Sequence, residues 1–593
     1  IALVAEALQL EEIAVTAEAE RGTVNRALEE QRNASTIVSA VTAEQIQKSP
    51  DSDAGQAVQR VSGVTVQDGK YVFVRGLGER YTTTSLNGTR IPSPEPDRKV
   101  VPLDLFPAGL LEGITTSKTF TPEQPGDFSG AQVNLKTREF PAQRLVSLSI
   151  SAGLNAAATG KDIIRAPRTG SEWLGFGGSR RELPHDIRDA NTLAGLSQST
   201  QNRFLTLFRS SWSAPATTGS PNGSFGLAVG GEGSVAGQQL GYIGSFTYSY
   251  GQEVREEESR ATVVRSSNGT GTEAYSAYEG SSGRTSVLWG GLANLSTRLG
   301  ENSKIALNNT YSRSADNEAT FLDGDHRDWG LLQATRLTFT ERSVRSNQLA
   351  GQHLLGLRHQ ISWALTSSGV RRNEPDRSDL LYERDRDPTT SALVLRWSTA
   401  PQAATRTFSD LKEDAFDLGL NYRLSLKVSG ENAVKAGLLA RRVDRDADSR
   451  AYDITQINLT DAERALAPEE IFDGGFAEGG RLRLTANANG GRYEAADRLV
   501  AGYVQGELQL TRRLRGVVGA RLEHDRLDVD TRETQSAEIR RARLDDTDVL
   551  PALALTYALS DDQNLRVSAS QTLSRPEYRE LAPVRYFDIL GNL

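Results

Sequence analysis

At 593 residues, with no cysteine, no methionine and a net charge of −8, the chain is too long for one ordinary domain, can form neither a disulfide nor a thiolate metal site, and carries no basic signature of a nucleic-acid partner. No run of 18 apolar residues occurs, which excludes a membrane-spanning helix. A mean hydropathy of −0.45 does not exclude a membrane β-barrel, because its strands alternate lipid-facing and lumen-facing residues and leave no hydropathy peak.

Up to about Pro141 the sequence mixes helix and strand signals. "IALVAEALQL" lacks the basic start and small-residue cleavage site of a signal peptide, and with no initiator residue the chain is expected to be a processed product or a fragment. "TAEQIQKSP" predicts a helix capped by Thr42, with Glu44 and Gln45 in its first turn. "SDAGQAVQRVSG" predicts a second, capped by Ser52 or Asp53 and ended by Gly63. Strand-like runs follow at 64–67, 71–75, 83–86 and 131–137. Within "KYVFVRGLGERYTTTSLNGTRIPSPEP" (70–96), Gly76 and Gly78 invite a phosphate-loop reading. That reading is weak, because no G-K-[ST] follows and the three threonines after Tyr81 favour strand over helix. Two helices, strands and a hairpin in roughly 100 residues describe a small α+β domain.

Beyond Pro141 the period changes to two. "TSVLWGGLANLSTRL" sets Val287, Trp289, Ala293 and Leu295 against Ser286, Asn294 and Ser296. "AGYVQGELQL" sets Val504, Leu508 and Leu510 against Gln505, Glu507 and Gln509. About thirteen strands are expected, starting near 144, 223, 239, 283, 304, 334, 359, 411, 431, 497, 514, 547 and 564. Links after even-numbered strands read as tight ("GENS", "SGEN", "TRRL", "SDDQ"). Those after odd-numbered strands read as long and polar, at about 156–222, 256–282, 371–410 and 447–496. Short turns on one rim and long loops on the other indicate an outer-membrane barrel.

A barrel preceded by such a domain resembles the TonB-dependent outer-membrane receptors over nearly the whole chain. "LEEIAVTAEA" (10–19) looks like the TonB box, carried by Glu11, Glu12, Ile13, Ala14, Val15, Thr16 and Ala17; an ordinary edge strand is the plain alternative. "DAGQAVQRVSGVTVQDG", "VFVRGLGERYTTTSLNGTRIP" and "GDFSGAQVNLKT" look like the family's plug, with Gly76, Asn87, Gly88 and Gly130 in its hairpin and closing strand. "LPALALTYALSDDQNLRVSASQTLSRPEYRELAP" (550–583) looks like a late barrel hairpin, with Arg575-Pro576 in the family's place. The resemblance implies a mainly β chain: residues 1–9 a remnant of an upstream domain of carboxypeptidase-regulatory type, 10–32 box and linker, 33–141 plug, and 142–593 the first part of a transmembrane β-barrel. It also implies Arg75 buried under the barrel wall, Lys118 where the family usually has arginine, and inward acids Glu507 and Glu523 facing them; both acids read equally well as lumen-facing solvated groups. Implied partners are TonB, outer-membrane lipid and a small nutrient, with no cofactor. A plug that must shift under modest force is expected to be held by polar, hydrated contacts.

Other candidates carry less. The five histidines are scattered. "LDGDHRDWG" gathers Asp323, Asp325, His326 and Asp328 in an expected loop, where a solvated acidic loop is the plainer reading than a cation site. Asp444, Asp446 and Asp448 have calcium-loop spacing without the required glycine and glutamate. No catalytic motif is present, so an enzyme is not expected. Trp289, Trp363 and Tyr503 read either as membrane-interface aromatics or as plug contacts. A passive surface-binding barrel and a soluble nucleotide-binding enzyme are the competing classes. Thirteen strands of an expected twenty-two predict a truncated barrel, short of about nine strands, that would not insert stably as written.

Overall fold

The computed structural model describes Gln31 and residues 36–584, except Pro50, Asp97, 139–143, 189–192, Ala194, 236–237, 267–269, 387–390, Pro401, 427–431, 535–537 and 561–562. The expected TonB box and residues 1–9 lie outside the described residues. The small domain begins with β1 (Val38–Thr42) and the helix Ala43–Gln47. Thr42 accepts from the Gln45 amide while the Gln45 side chain accepts from the Thr42 amide, so two orphan donors of the helix are satisfied reciprocally. Asp53 caps the helix Ala54–Val58 through the Gln56 amide at 3.0 Å. This helix ends at Gln59, short of Gly63, because turns closed by the Val61 and Val64 amides bend the chain into β2 (Val64–Gln67). β2 pairs with β3 (Tyr71–Val74). β4 (Thr82–Leu86), β5 (Thr89–Arg90), β6 (Leu111–Ser117) and β7 (Ala131–Thr137) join β1 in a five-stranded sheet of order β1-β6-β7-β4-β5, with β4 and β7 parallel. Ile114, Val133, Leu135, Ala54, Val58, Leu103 and Leu105 fill its core.

The rest is one large antiparallel sheet. β8 (Leu145–Gly153), β11 (Asn222–Val235), β12 (Gln238–Arg265), β13 (Thr272–Arg298), β14 (Ser303–His326), β15 (Gly330–Leu355), β16 (His359–Arg386), β18 (Ala404–Ser425), β19 (Ala433–Gln456), β20 (Leu482–Gln509), β21 (Leu514–Glu533), β22 (Arg540–Ser560) and β23 (Gln563–Ser570) neighbour one another in chain order. The short β17 (Leu393–Trp397) adds to β16, and a separate ribbon joins β9 (Asp162–Ile164) to β10 (Ala216–Thr218). β8 and β23 are the two ends of the sheet, which curls around the small domain without closing. Period-two alternation sorts the faces. On β18, Thr405, Thr407, Ser409 and Leu411 point inward, while Phe416, Leu418, Leu420 and Tyr422 are exposed on the outside. Leu438, Val500, Val504, Val518, Leu522, Val549 and Leu553 continue the outer apolar band. Above it the outer face turns charged, with Arg345 on Asp414 and Arg442 on Asp444.

The tight links fall where the sequence puts them, around 299–302 and 510–513. The expected long loops are mostly strand. β12 and β13 occupy all but 266–271 of the 256–282 stretch, and β16, β19 and β20 run deep into the other two. A strand of 28 residues reaches about 90 Å, whereas the lipid-spanning band needs only about 25 Å. The upper halves are polar on both faces, which reads as loop in sequence, yet their backbones stay paired. The stretch 154–221 is a true connection, and it wraps the outside of the sheet. Ala166 exchanges hydrogen bonds with outward Asn317 at 3.0 and 3.1 Å, and Arg313 donates to the Gly175 carbonyl at 2.7 Å. Arg406 donates to the Ser211 carbonyl at 2.8 Å. Ala315, Ala319, Leu337 and Phe339, all outward, are buried beneath this strap.

Candidate functional site

The "VRGLGER" stretch is a turn on the small domain. Arg75 and Gly76 both take positive φ, 55° and 77°, and the Leu77 amide closes the turn on Val74 at 3.0 Å. Gly76 is needed for that conformation and not for close packing, since a Cβ there would meet nothing within 4 Å. Gly130 is the close approach: a Cβ would stand 2.9 Å from the Tyr81 carbonyl oxygen. Asn87 and Gly88 form the other turn, with the Asn87 side-chain Nδ2 donating to Thr137 Oγ1 at 3.0 Å. Arg75 is exposed, contrary to the expectation of burial under the wall, because its left-handed turn carries the side chain along the domain surface. It donates to the Lys118 carbonyl at 3.4 Å, and Lys118 Nζ reaches Ser39 Oγ at 2.9 Å. Burial and the Arg75 charge together push the Lys118 amine below its ordinary value. The expected acids have other partners. Glu507 receives Lys435 at 2.7 Å and Arg423 at 3.4 Å, and Lys435 also holds Glu123 of the small domain at 3.1 Å. Glu523 accepts from the Gly126 amide at 3.0 Å and pairs with Arg521 at 2.6 Å and Arg575 at 2.8 Å.

The polarity of the main grip is therefore largely reversed: wall arginines hold backbone carbonyls and acids of the small domain. Arg445, fully buried, donates to the Ser93 carbonyl at 3.2 Å, to the Glu95 carbonyl, to Tyr493 Oη at 2.9 Å and to Glu413 at 2.7 Å. Tyr493 Oη donates to the Pro96 carbonyl at 2.9 Å. Arg342 pairs with Asp104 at 2.7 Å and with Asp316 at 3.1 Å, and Lys70 bridges the same two acids at 3.6 and 3.4 Å. Burial pushes the Asp127 carboxyl up, but the Arg90, Arg575 and Lys99 charges outweigh it and hold the group at about 2. Asp53 lacks such partners, and burial lifts it to about 6 against the Gln56 amide bond.

Apolar contact crosses the interface too, which corrects the expectation of a purely polar, hydrated joint. Val344, Val370, Leu411, Ala447, Tyr493, Ala495, Leu527 and Val529 of the wall join the small domain's core in one buried cluster. Above the tip at Glu95 and Pro96 lies a cavity of about 250 Å³. Arg372, Arg377, Thr405, Thr407 and Asn487 line it with Glu374 and Asp379. Arg372 pairs with Glu374 at 2.6 Å and Arg377 with Asp379 at 3.3 Å and Glu374 at 3.5 Å, while the buried Thr407 hydroxyl makes no hydrogen bond among the described residues.

Two family descriptions match the chain: the TonB-dependent Receptor Plug Domain over residues 30–129, and the TonB dependent receptor-like beta-barrel over 175–593. The chain belongs to the TonB-dependent receptor family. The small domain is its plug, and the curled sheet is its barrel wall. No curated protein sequence matches the chain. Among solved structures it is similar to the unliganded ferric citrate transporter FecA, at 12% identity and a TM-score of 0.56, covering 92% of this chain and 63% of that one. The siderophore receptor PiuA from Acinetobacter baumannii and the ferric yersiniabactin uptake receptor FyuA from Yersinia pestis each match at 10% identity over 90% of this chain and 64% of theirs, with TM-scores of 0.48 and 0.49. The chain thus spans less than two thirds of the length of these receptors.

In this receptor chain the remaining candidates have structural roles. Asp323 pairs with Arg384, the Asp328 amide donates to His326 Nδ1 at 3.2 Å, and His326 stacks on Trp329 at 4.1 Å. Asp444, Asp446 and Asp448 lie on β19, paired with Arg442, Arg492 and Arg450. Among the described residues no cluster of three or more acids and histidines could hold a metal ion. Trp289 and Trp363 stand on the outer face and Tyr503 on the inner one, where its hydroxyl donates to Asn421 at 2.9 Å. No sequence motif marks Arg342, Arg445 or Asp104. The one signal for the arginines was inward parity within strands such as "KAGLLARRVDR".

Proposed function

We propose that the chain is the plug and part of the barrel of an outer-membrane import receptor, which binds a scarce polar nutrient from outside and passes it to the periplasm when TonB pulls on residues 11–17. The observation that carries this reading is the joint between plug and wall: a filled lumen blocks diffusion, so passage requires moving the plug. The joint is dense in ion pairs and in hydrogen bonds to backbone, which can exchange with water step by step. Arg75, Lys118, Glu507 and Glu523 take part in that rearrangement on this reading, Glu507 and Glu523 by releasing the 122–130 loop. The nutrient occupies the cavity above Glu95 and Pro96, where Thr407 supplies an unused hydroxyl. A chain without cysteine makes the test simple. Val15→Cys in the complete receptor is expected to form a disulfide with a single-cysteine TonB periplasmic domain, increasingly so as ligand is added. Correctly inserted protein that never traps TonB with any candidate nutrient would leave a passive binding barrel as the better reading.

A further inference from the structure

The strap 154–221 lies above the outer apolar band, and its lowest point carries two aromatic rings. Strand register shows where along these three strands it sits. Tyr248, Trp289 and Arg313 form one outward row across β12, β13 and β14, and segment 173–176 runs along it. Tyr248 Oη donates to the Trp173 carbonyl at 2.8 Å, Trp289 Nε1 to the Leu174 carbonyl at 2.8 Å and Arg313 Nε to the Gly175 carbonyl at 2.7 Å. The Phe176 ring packs 3.9 Å from the Arg313 guanidinium. Two residues below this row, Phe246 and Tyr311 begin the outward apolar positions that face lipid; above it, outward Val287 and Ala315 are buried under the strap. Three successive carbonyls, of Trp173, Leu174 and Gly175, are thus held by the wall, whereas the Trp173 side chain is left 62% exposed and Phe176 41% exposed. Nearby charge is used internally, Glu172 on Arg181 at 2.8 Å and Glu341 on Arg313. Arg168, exposed, stands one step higher with its guanidinium 3.2 Å from Tyr250 Oη.

An aromatic pair at the upper limit of an apolar band, with a cation just above, is the arrangement that suits the boundary between acyl chains and anionic head groups. We propose that Trp173 and Phe176 are seated in the head-group layer of the outer leaflet, so that segment 171–178 is an interfacial anchor that fixes the strap against an anionic lipid surface. The proposal rests on the membrane-spanning reading above and deepens it, because the band below the strap already faces lipid on that reading.

The test uses the complete receptor in vesicles of phosphatidylethanolamine and phosphatidylglycerol, with a nitroxide placed in turn at Trp173→Cys, Phe176→Cys, Phe246→Cys within the band, and Val263→Cys on the upper part of β12. Oxygen partitions into lipid and a charged nickel chelate stays in water, so their collision rates report depth. The expected result is that nickel accessibility at 173 and 176 lies several-fold below that at 263 and somewhat above that at 246. Labels at both positions as open to nickel as the one at 263 would overturn the anchor. An aqueous signal at 246 itself would overturn the membrane reading and the anchor with it, which separates the two failures. If one substitution prevents insertion, the other position still decides the question.

Discussion

A single buried arginine shows how the plug is retained. Arg445 spends its donors on the Ser93 and Glu95 carbonyls, Tyr493 and Glu413, in a site where Glu413 is itself nearly inaccessible. Removing one member of a buried pair strands the other charge and typically costs about 3–5 kcal/mol, whereas removing both is far cheaper. Arg445→Met is therefore expected to loosen the 90–96 loop and lower the urea midpoint for plug release. Arg445→Met with Glu413→Gln should recover most of that loss. Equal destabilisation in the single and double variants, read by plug-directed proteolysis across a urea series, would mean the carbonyl contacts dominate and the ion pair matters little. This arginine was not legible in the sequence. Its parity marks it as inward, but nothing local says which loop 350 residues away will supply carbonyls at 3.2 Å. Arg75 illustrates the same limit: the motif is legible, but the direction of its side chain depends on a turn geometry that the letters do not fix.

At the scale of elements the sequence is far more informative, because the signals are local. The Thr42 capping box, the Asp53 cap and the strands 64–67 and 131–137 follow from side-chain chemistry within a few residues. The barrel strands follow from period-two alternation and agree in number. What local signals miss is where a strand stops once both of its faces are polar, which is why β12, β16, β19 and β20 overrun their expected ends. The loop 122–130 also escapes local reading, as it is held from outside: the Leu573 amide donates to the Gly126 carbonyl at 3.0 Å and Ser129 Oγ to the Leu573 carbonyl at 2.7 Å. Gly126 is pressed against the wall so closely that a Cβ would meet Leu550 Cδ1 and the Glu523 carboxylate at 2.4 and 2.6 Å. Gly126→Ala should therefore displace Glu523 from the loop and cost about 1–3 kcal/mol of plug seating, the usual penalty for overpacking. A distance between spin labels at Ser129→Cys and Val549→Cys should lengthen or broaden. An unchanged distance distribution with unchanged stability would show that the wall relaxes freely at this point.

For the whole molecule the decisive quantity is unpaired backbone. Among the described residues every strand from β11 to β22 has at least two neighbours except the short β17, which pairs only with β16, while the long sheet ends on β8 and β23 with one neighbour each, and all nine residues of β8 are exposed. In water such an edge invites pairing with another chain; in the hydrocarbon layer each unsatisfied N–H or C=O costs several kcal/mol. The plug relieves little of this: it bonds the backbone of Leu573 just beyond β23, and its main grip is on the inner face of the wall. A polypeptide of only these 593 residues is therefore expected not to yield a compact, protease-resistant species whose gel mobility shifts on heating, when refolded into detergent micelles, and to associate through its edges as concentration rises. Joining it to strands that close the sheet should restore the mobility shift and the protease resistance together. A monodisperse, protease-resistant monomer from the 593 residues alone would mean that β8 and β23 find each other in a smaller barrel. In that case the lumen would be too narrow for the plug described here, and the Arg445 and Arg342 contacts should be lost in the same sample.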